Sequence, residues 1–334
     1  MIRIALDAMG GDHAPASPIA GAIEALAEVG GDVVIQLVGR KDAVERELPA
    51  AHRGSPRFEI VDAPEVIDMG EKPLHALRTK RRSSIHVGLE LQREGRSHAF
   101  ISAGNTGAVM AASTLILRLH PGFERPAIGT PFPTADHPII LMDGGANVDC
   151  SAQELVGFAH LGVVYARDVL GREDPAVGLL NIGEEEEKGN AATKEAYRLL
   201  GESGLKFVGN VEGRHILLGR TAEGPFDVVV CDGFVGNVLL KFYESVAHVM
   251  HELIRRELGD EVVGGDAMKR VMRHLDYAEY GGAPLLGVQG VSIICHGRSS
   301  PAAIRNAIKV AERAARNHLE QDMTREFGAR GAPS

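Results

Sequence analysis

The stretch HAFISAGNTGAVMAAS, His98 to Ser113, decides the fold. It opens as a short apolar run and ends with apolar residues at helical spacing. Between them Gly104-Asn105-Thr106-Gly107 has almost no bulk. A buried strand that turns into a helix through small residues is the repeating unit of a parallel α/β sheet. The same junction recurs as DAMGGDHAP (Asp7 to Pro15), DGGANVDC (Asp143 to Cys150) and NIGEEEEKGN (Asn181 to Asn190). It returns as CDGFVGN (Cys231 to Asn237) and CHGRSS (Cys295 to Ser300). Each predicted strand finishes in Asp, Asn, Ser or His, then glycine, then a polar residue.

Working outward, IRIALD (Ile2 to Asp7), VVIQLVG (Val33 to Gly39), FEIVDA (Phe58 to Ala63) and HAFISA read as strands. So do PIILMD (Pro138 to Asp143), VGLLNIG (Val177 to Gly183), KFVGNV (Lys206 to Val211), DVVVCD (Asp227 to Asp232) and the run from Val291 to Gly297. Several are continuously apolar, which suits burial on both faces. Helical patterns cover Pro15 to Val29, Ser83 to Glu94, Gly104 to Leu119 and Gln153 to Leu170. The expected fold class is α/β: an α/β/α sandwich with a mostly parallel sheet, built as one domain or as two subdomains sharing a sheet. Residues 234–275 break the alternation. Val246, Val249, Met250, Leu253, Ile254 and Leu258, then Met268, Val271, Met272 and Leu275, predict a helical hairpin outside the sheet. It would pack on the core, on another subunit, or on a membrane surface. The tail 328–334 is expected to fray.

The composition narrows the function classes. Among 334 residues, 36 basic and 45 acidic side chains give a net charge of −9, which argues against a general nucleic-acid binder. Two basic patches remain, Arg78 to Arg82 and the group Arg255, Arg256, Lys269, Arg270 and Arg273. Three scattered cysteines form no CxxC, so neither a disulfide framework nor a zinc ribbon is expected. The start MIRIALDAMGG does not read as a signal peptide, and no apolar run reaches membrane-spanning length. The expectation is a soluble cytoplasmic protein needing no metal or cofactor.

Ligands of open parallel sheets bind at the carboxyl ends of the strands. Glycine there lets backbone N–H groups approach a ligand, and a following helix N-terminus adds unpaired donors and partial positive charge. Taken singly, each junction reads more readily as a capped turn; so many on one sheet edge point to an anion site. The Walker pattern and the GxGxxG fingerprint are absent, as is a GxSxG elbow. HELIR at His251 lacks the second histidine of a zinc motif, since Arg255 stands in its place.

DAMGGD with Ala14-Pro15, SAGNTGA, DGGANVDC, NIGEEEEKGN, CDGFVGNVLLK, YGGAPLLG and the late His296-Gly297 together resemble the phosphate acyltransferase family, PlsX. The motifs occur in order over nearly the whole chain, with one departure: Arg298 stands where the family often has a small residue. The resemblance implies a fold similar to phosphotransacetylase and isocitrate dehydrogenase, and a homodimer with peripheral membrane contact. It implies transfer of an acyl group from acyl carrier protein to inorganic phosphate, giving acyl phosphate for phosphatidic-acid synthesis.

That chemistry needs phosphate held, an oxyanion met by placed donors, and a thiolate released; phosphate itself is the nucleophile. The expected substrate-binding residues are Asp7, Gly10, Gly11 and Asp12 in the first loop, with Arg78 and Lys80. Ser102, Gly104, Asn105, Thr106 and Gly107 in the second loop join them, with Asp143, Asn147 and Asn181. Lys188 is a candidate phosphate ligand or a solvated charge. Asn147 and Asn237 are candidate oxyanion donors. His296, whose ordinary pKa lies near neutrality, is a candidate proton shuttle or a structural histidine. Asp143 and Asp232 are candidates to orient donors or a bound cation, or to cap turns. Cys150 and Cys231 read as small buried cysteines rather than acyl carriers. Arg78, Lys80, Arg81 and Arg82 form the expected dock for an acidic carrier, or a solvated helix face. Competing readings are a phosphotransacetylase acting on short acyl-CoA, a non-catalytic scaffold for carrier and membrane, and a dehydrogenase of related architecture, for which no dinucleotide site is visible.

Overall fold

The computed structural model describes residues 1–275 and 280–328. In chain order the first elements are β1 (Ile2–Asp7), α1 (Ala16–Ala25), β2 (Val33–Gly39), α2 (Lys41–Glu47) and β3 (Phe58–Asp62). Next come α3 (Pro73–Thr79), α4 (Ser84–Arg93), β4 (Ala99–Ser102) and α5 (Thr106–Ile116). Then follow β5 (Ala127–Phe132), β6 (Ile139–Met142), α6 (Ala152–Asp168), β7 (Ala176–Asn181), α7 (Ala191–Glu202) and β8 (Lys206–Glu212). Short elements α8 (Gly213–Ile216), β9 (Arg220–Thr221) and β10 (Gly224–Pro225) lead to β11 (Val228–Val230). The chain continues through α9 (Gly233–Leu258), α10 (Asp260–Gly264) and α11 (Asp266–Leu275). It closes with β12 (Ala283–Leu286), β13 (Ser292–Ile294), α12 (Pro301–Arg316) and α13 (Leu319–Gly328).

The chain divides into two compact units, Met1–Pro126 with the chain from Tyr280 onward, and Ala127–Glu279. In the first unit the strands run in the order β3-β2-β1-β4-β13-β12. Neighbours are parallel except β12, which is antiparallel to β13. Ile4 pairs with Ile35 on one side and Ala99 on the other. Ile4, Leu6, Ile35, Leu37 and Phe100 are fully buried, which is why these strands read as unbroken apolar runs. Helix α12 lies close against α1, with Gly21 facing Ile304.

In the second unit the order is β5-β6-β11-β7-β8, parallel except for the antiparallel pair β5 and β6. Its core gathers Phe132, Ile139, Leu141, Val211, Ile216, Phe226 and Val229. Leu240 and Tyr243 of α9 join it, and the Phe132 and Tyr243 rings lie 4.8 Å apart.

The mostly parallel α/β expectation holds, with two strands unforeseen in the long strand orders and the short pair β9 and β10 besides. β5 (AIGTPF) and β12 (APLL) are the antiparallel members, and each ends the strand order of its own unit. Gly129, Pro131 and Pro284 count locally against a strand, because proline cannot donate to a ladder and glycine weakens a strand. Pairing with Ile140 and Ile293 overrides that local preference.

Where a hairpin of two helices was expected over 234–275, the chain forms the three helices α9, α10 and α11. Asp232 caps α9, which runs for 26 residues before Gly259 ends it. The Tyr243 hydroxyl donates to the Leu275 carbonyl at 2.8 Å and ties the base of the excursion. Phe234, Val238, Phe242, Val249 and Met250 leave an apolar stripe of α9 open to solvent. Among the described residues no helix is long and apolar enough to cross a membrane. Of the tail expected to fray, Gly328 closes α13, and 329–334 lie outside the described residues.

Candidate active site

On the first unit, three strand ends come together: those of β1, β4 and β13. Asp7 ends β1 and is buried. Its Oδ1 accepts from the Met9 N–H at 3.0 Å and its Oδ2 from the Ser102 hydroxyl at 2.7 Å. Ser102 Oγ in turn accepts from the Gly104 N–H at 3.0 Å. Burial pushes the Asp7 carboxyl above its ordinary value of 3.8, against hydrogen bonds from Ser84, Ser102, Met9 and Gly10 that pull it down. Gly10 covers this carboxylate: a Cβ there would lie 2.6 Å from Asp7 Oδ2 and 2.7 Å from the Gly104 nitrogen. Asp7 and Ser102, expected to bind substrate, therefore sit beneath the loops and hold them. The signal missed in the sequence was Ser84, next to the α4 cap Ser83, which reaches the same carboxylate.

Above that support, α5 begins. Asn105 is its N-cap, its Oδ1 accepting from the Ala108 N–H at 3.0 Å. The amides of Thr106 and Gly107, the first helical residues, have no hydrogen-bond partner among the described residues. Thr106 is exposed and Gly107 half-buried. Unpaired N–H groups at a helix start, with the partial positive charge of the helix behind them, make an anion site. Asp12 is exposed beside it, its N–H donating to the Gly297 carbonyl at 2.7 Å, and Gly11 lies against Ala103 and Gly297. His296 is exposed at the end of β13, and its Nδ1 accepts from the Arg298 N–H at 3.1 Å. The neutral ring therefore carries its proton on Nε2.

Of the basic run, Lys80 is engaged: its Nζ donates to the Val66 carbonyl at 2.7 Å and to the Glu71 carboxylate. Arg82 pairs with Asp62 at 3.7 Å. Arg78 and Arg81 are exposed, and neither forms an ion pair among the described residues.

On the second unit, Asp143 follows β6 and is fully buried. Its Oδ1 accepts from the N–H groups of Ile128, Gly145 and Ala146, at 3.0, 3.1 and 3.1 Å. Its Oδ2 accepts from the N–H groups of Ala146 and Asn147, and from Asn147 Nδ2, at 3.1, 2.7 and 2.9 Å. Burial again raises its pKa, opposed by these backbone bonds. Asp143 and Asn147 thus fold the DGGAN loop upon itself. Asp232 caps α9 through Phe234 N–H at 2.8 Å and ties in Cys150 N–H at 2.8 Å, so both its oxygens are engaged. Asn237 is exposed on α9 beside Gly145.

The acidic loop is braced from below. Asn181 Nδ2 donates to the Lys188 carbonyl at 3.1 Å and to Asn210 Oδ1 at 3.0 Å, while Asn210 Nδ2 donates to the Glu185 carbonyl at 2.8 Å. His215 Nε2 lies 3.3 Å from Glu184. Asn210 and His215 were not foreseen, since nothing local in β8 and α8 marks them as partners of a loop so far back in the chain. The Lys188 ammonium is partly exposed, 3.9 Å from Glu185.

The cysteines are buried and raised in pKa, Cys150 and Cys295 to about 12, by burial first and, for Cys150, by Asp232 nearby. Burial likewise pushes Cys231 up, and Asp143 adds to it. Thiols held protonated are poor nucleophiles. No cluster suited to a metal ion occurs among the described residues.

These open, mostly parallel α/β units define a fold class, and solved structures share it. A phosphotransacetylase from Streptococcus pyogenes matches with a TM-score of 0.65 at 16% identity, covering 94% of each chain. The EutD phosphotransacetylase from Staphylococcus aureus matches with a TM-score of 0.61 at 15% identity over the same share. At such identities the likeness concerns the fold. The sequence goes further. The family described as "Fatty acid synthesis protein" matches residues 2–322. Proteins named phosphate acyltransferase are similar throughout. That of Heliobacterium modesticaldum is 51% identical over 318 residues, 93% of each chain. That of Desulforamulus reducens is 49% identical over 318 residues and the same share. That of Nostoc punctiforme is 48% identical over 336 aligned positions, 98% of this chain and 96% of its own. The chain belongs to this phosphate acyltransferase family (PlsX), a family of acyl-transferring enzymes of fatty acid and lipid synthesis.

Proposed function

We propose that the enzyme moves a fatty acyl group from acyl-[acyl carrier protein] to inorganic phosphate, yielding acyl phosphate for phosphatidic-acid synthesis in the cytoplasm. The observation that carries this reading is the α5 start, where Thr106 and Gly107 present unpaired amides over a buried support. Phosphate bound there is the nucleophile. One of its oxygens attacks the thioester carbonyl, the C–S bond breaks, and the carrier's thiolate leaves. No protein nucleophile is called for, in keeping with the raised thiol pKa values. His296, with its Nε2 proton, donates to the departing sulfur or to the developing oxyanion; as a neutral ring it has no free lone pair at Nε2 to act as base there. Asn237 and Lys188, expected as an oxyanion donor and a phosphate ligand, belong to the second unit, and the step at the α5 start needs neither. A lost oxyanion donor typically costs about 100- to 1000-fold in rate.

Arg78, Arg81 and Arg82 are the proposed dock for the acidic carrier, Lys80 being engaged elsewhere. Docking through exposed charge weakens as salt rises. The apolar stripe of α9 is the proposed homodimer face, since exposed contiguous apolar surface marks an interaction site. Sedimentation of Phe242→Glu tests this. A variant that becomes monomeric supports the dimer face; one that stays dimeric but no longer binds anionic vesicles points to the membrane.

The test of the function is thiol release from a long-chain acyl carrier as phosphate is titrated. Release that rises with phosphate supports the reading, and none at any phosphate level overturns it. The fold likeness to phosphotransacetylases favours one second reading, transfer from short acyl-CoA. A higher kcat/KM on acyl-CoA than on the carrier would select it.

A further inference from the structure

The α5 start is flanked by a segment that none of the motifs mark. Between β3 and α3, residues Asp68 to Glu71 run across the strand ends of the first unit. Asn105 Nδ2 shares its protons among three carbonyls of this segment: Asp68 at 3.3 Å, Met69 at 3.0 Å and Glu71 at 3.1 Å. Its Oδ1 meanwhile caps α5. One buried amide therefore joins the anion-binding helix start to a segment more than 30 residues earlier. From the other side, Lys80 grips the Glu71 carboxylate and the Val66 carbonyl. The Asp68 N–H donates to Glu71 Oε1 at 2.8 Å. Beyond the latch, the half-exposed Met69 reaches the β13 loop, where its methyl lies beside Gly297, whose carbonyl holds Asp12. Pro73, at the start of α3, lies against Gly107.

We propose that Asn105 is a positioning residue: it latches Asp68–Glu71 as a strap over the α5 start, with Met69 as the apolar finger closing it against the β13 loop. The inference rests on the reading of that helix start as the phosphate site. Its side chain is fully engaged, so it does not itself hold phosphate. The strap holds the α5 start in place, so that the Thr106 and Gly107 amides meet the anion already oriented.

The test uses the full chain, Asn105→Ser and Lys80→Met. Serine keeps the helix cap but has no amide to donate. Lys80→Met loosens the strap without touching α5. Amide hydrogen exchange is followed in peptides covering 66–72 and 105–116, with and without inorganic phosphate, beside steady-state kinetics. In both variants exchange over 66–72 should speed by about tenfold, roughly the worth of one net hydrogen bond. Exchange over 109–116 should stay unchanged. KM for phosphate should rise by about tenfold while kcat stays within about twofold, because a lost ground-state hold acts on KM. Unchanged exchange over 66–72 overturns the latch, and faster exchange with an unchanged KM overturns its positioning role. If phosphate does not slow exchange at 106–108 of the unaltered protein, the phosphate site itself is misplaced, and the strap's role falls with it.

Discussion

Asp7 in the first unit and Asp143 in the second stand at the same place in their units. Each is a buried carboxylate at the end of a parallel strand, and each is roofed by a glycine-rich loop. Their partners differ in kind. Asp7 meets the hydroxyl of Ser102 and, on its other oxygen, the N–H of Met9, with Ser84 also in reach. Asp143 meets only N–H donors: the backbone of Ile128, Gly145, Ala146 and Asn147, and the Asn147 amide. A hydroxyl can turn round and accept; an N–H cannot. The first support is adaptable and lies under an open helix start, whereas the second is locked and shapes its own loop.

The sharpest way to break the comparison is to replace both carboxylates by amides. Asp143→Asn turns an NH₂ group toward fixed donors and should cost about 3–5 kcal/mol in urea unfolding, as for a broken buried network. Next in size is Gly236→Ala. Inside a helix this change normally gains up to about 1 kcal/mol, but here the new methyl meets the Asp143 carbonyl. A net loss of about 1–3 kcal/mol is expected, read as a lowered Tm. Asp7→Asn should cost only about 1 kcal/mol, because the serine hydroxyls can reverse. An equal loss at Asp7 and Asp143 would erase the distinction.

The smallest effect is one of pH. The folded Asp7 pKa lies above the unfolded value near 3.8, so the native state holds that proton more tightly. Its contribution is most favourable below pH 3.8 and is lost as pH rises through the folded value. Asp7→Asn should therefore gain on the unaltered protein as pH rises over that window. The exposed Glu28 and Asp32 behave oppositely. Hydrogen bonds from Lys309 and Arg316 lower their pKa values, so their contribution exists above the unfolded values and fades as acid protonates them. Urea midpoints collected from pH 3 to pH 8 check both signs.

Strand ends, helix starts and the bare Gly104-to-Gly107 turn were legible because each depends on neighbours in sequence. The buried strands were legible through their apolar runs. β5 and β12 were not, since Pro131 and Pro284 count locally against a strand and only pairing with the strand that follows each in the chain overrides them. Nor was the boundary at Ala127, where no change of composition separates the units. Among site residues, an aspartate at a strand end looks the same in sequence whether it faces a ligand or the underside of its own loop. Asp7, Asp143 and Asp232 turned out to face inward. Lys80 stood in a basic run that suggested a dock, yet Glu71 and Val66 hold it.

Chain order alone therefore settled the rhythm of strand, bare turn and helix, the loops stripped of side-chain bulk, and kinship with the phosphate acyltransferases. Folding in three dimensions settled which polar groups remain available. Asn105 meets carbonyls from 34 to 37 positions away, and Asp143 meets Ile128 across a strand pair. A hydrogen bond is satisfied or left open according to direction and burial. Both are fixed by packing between segments remote along the chain, which no local pattern records.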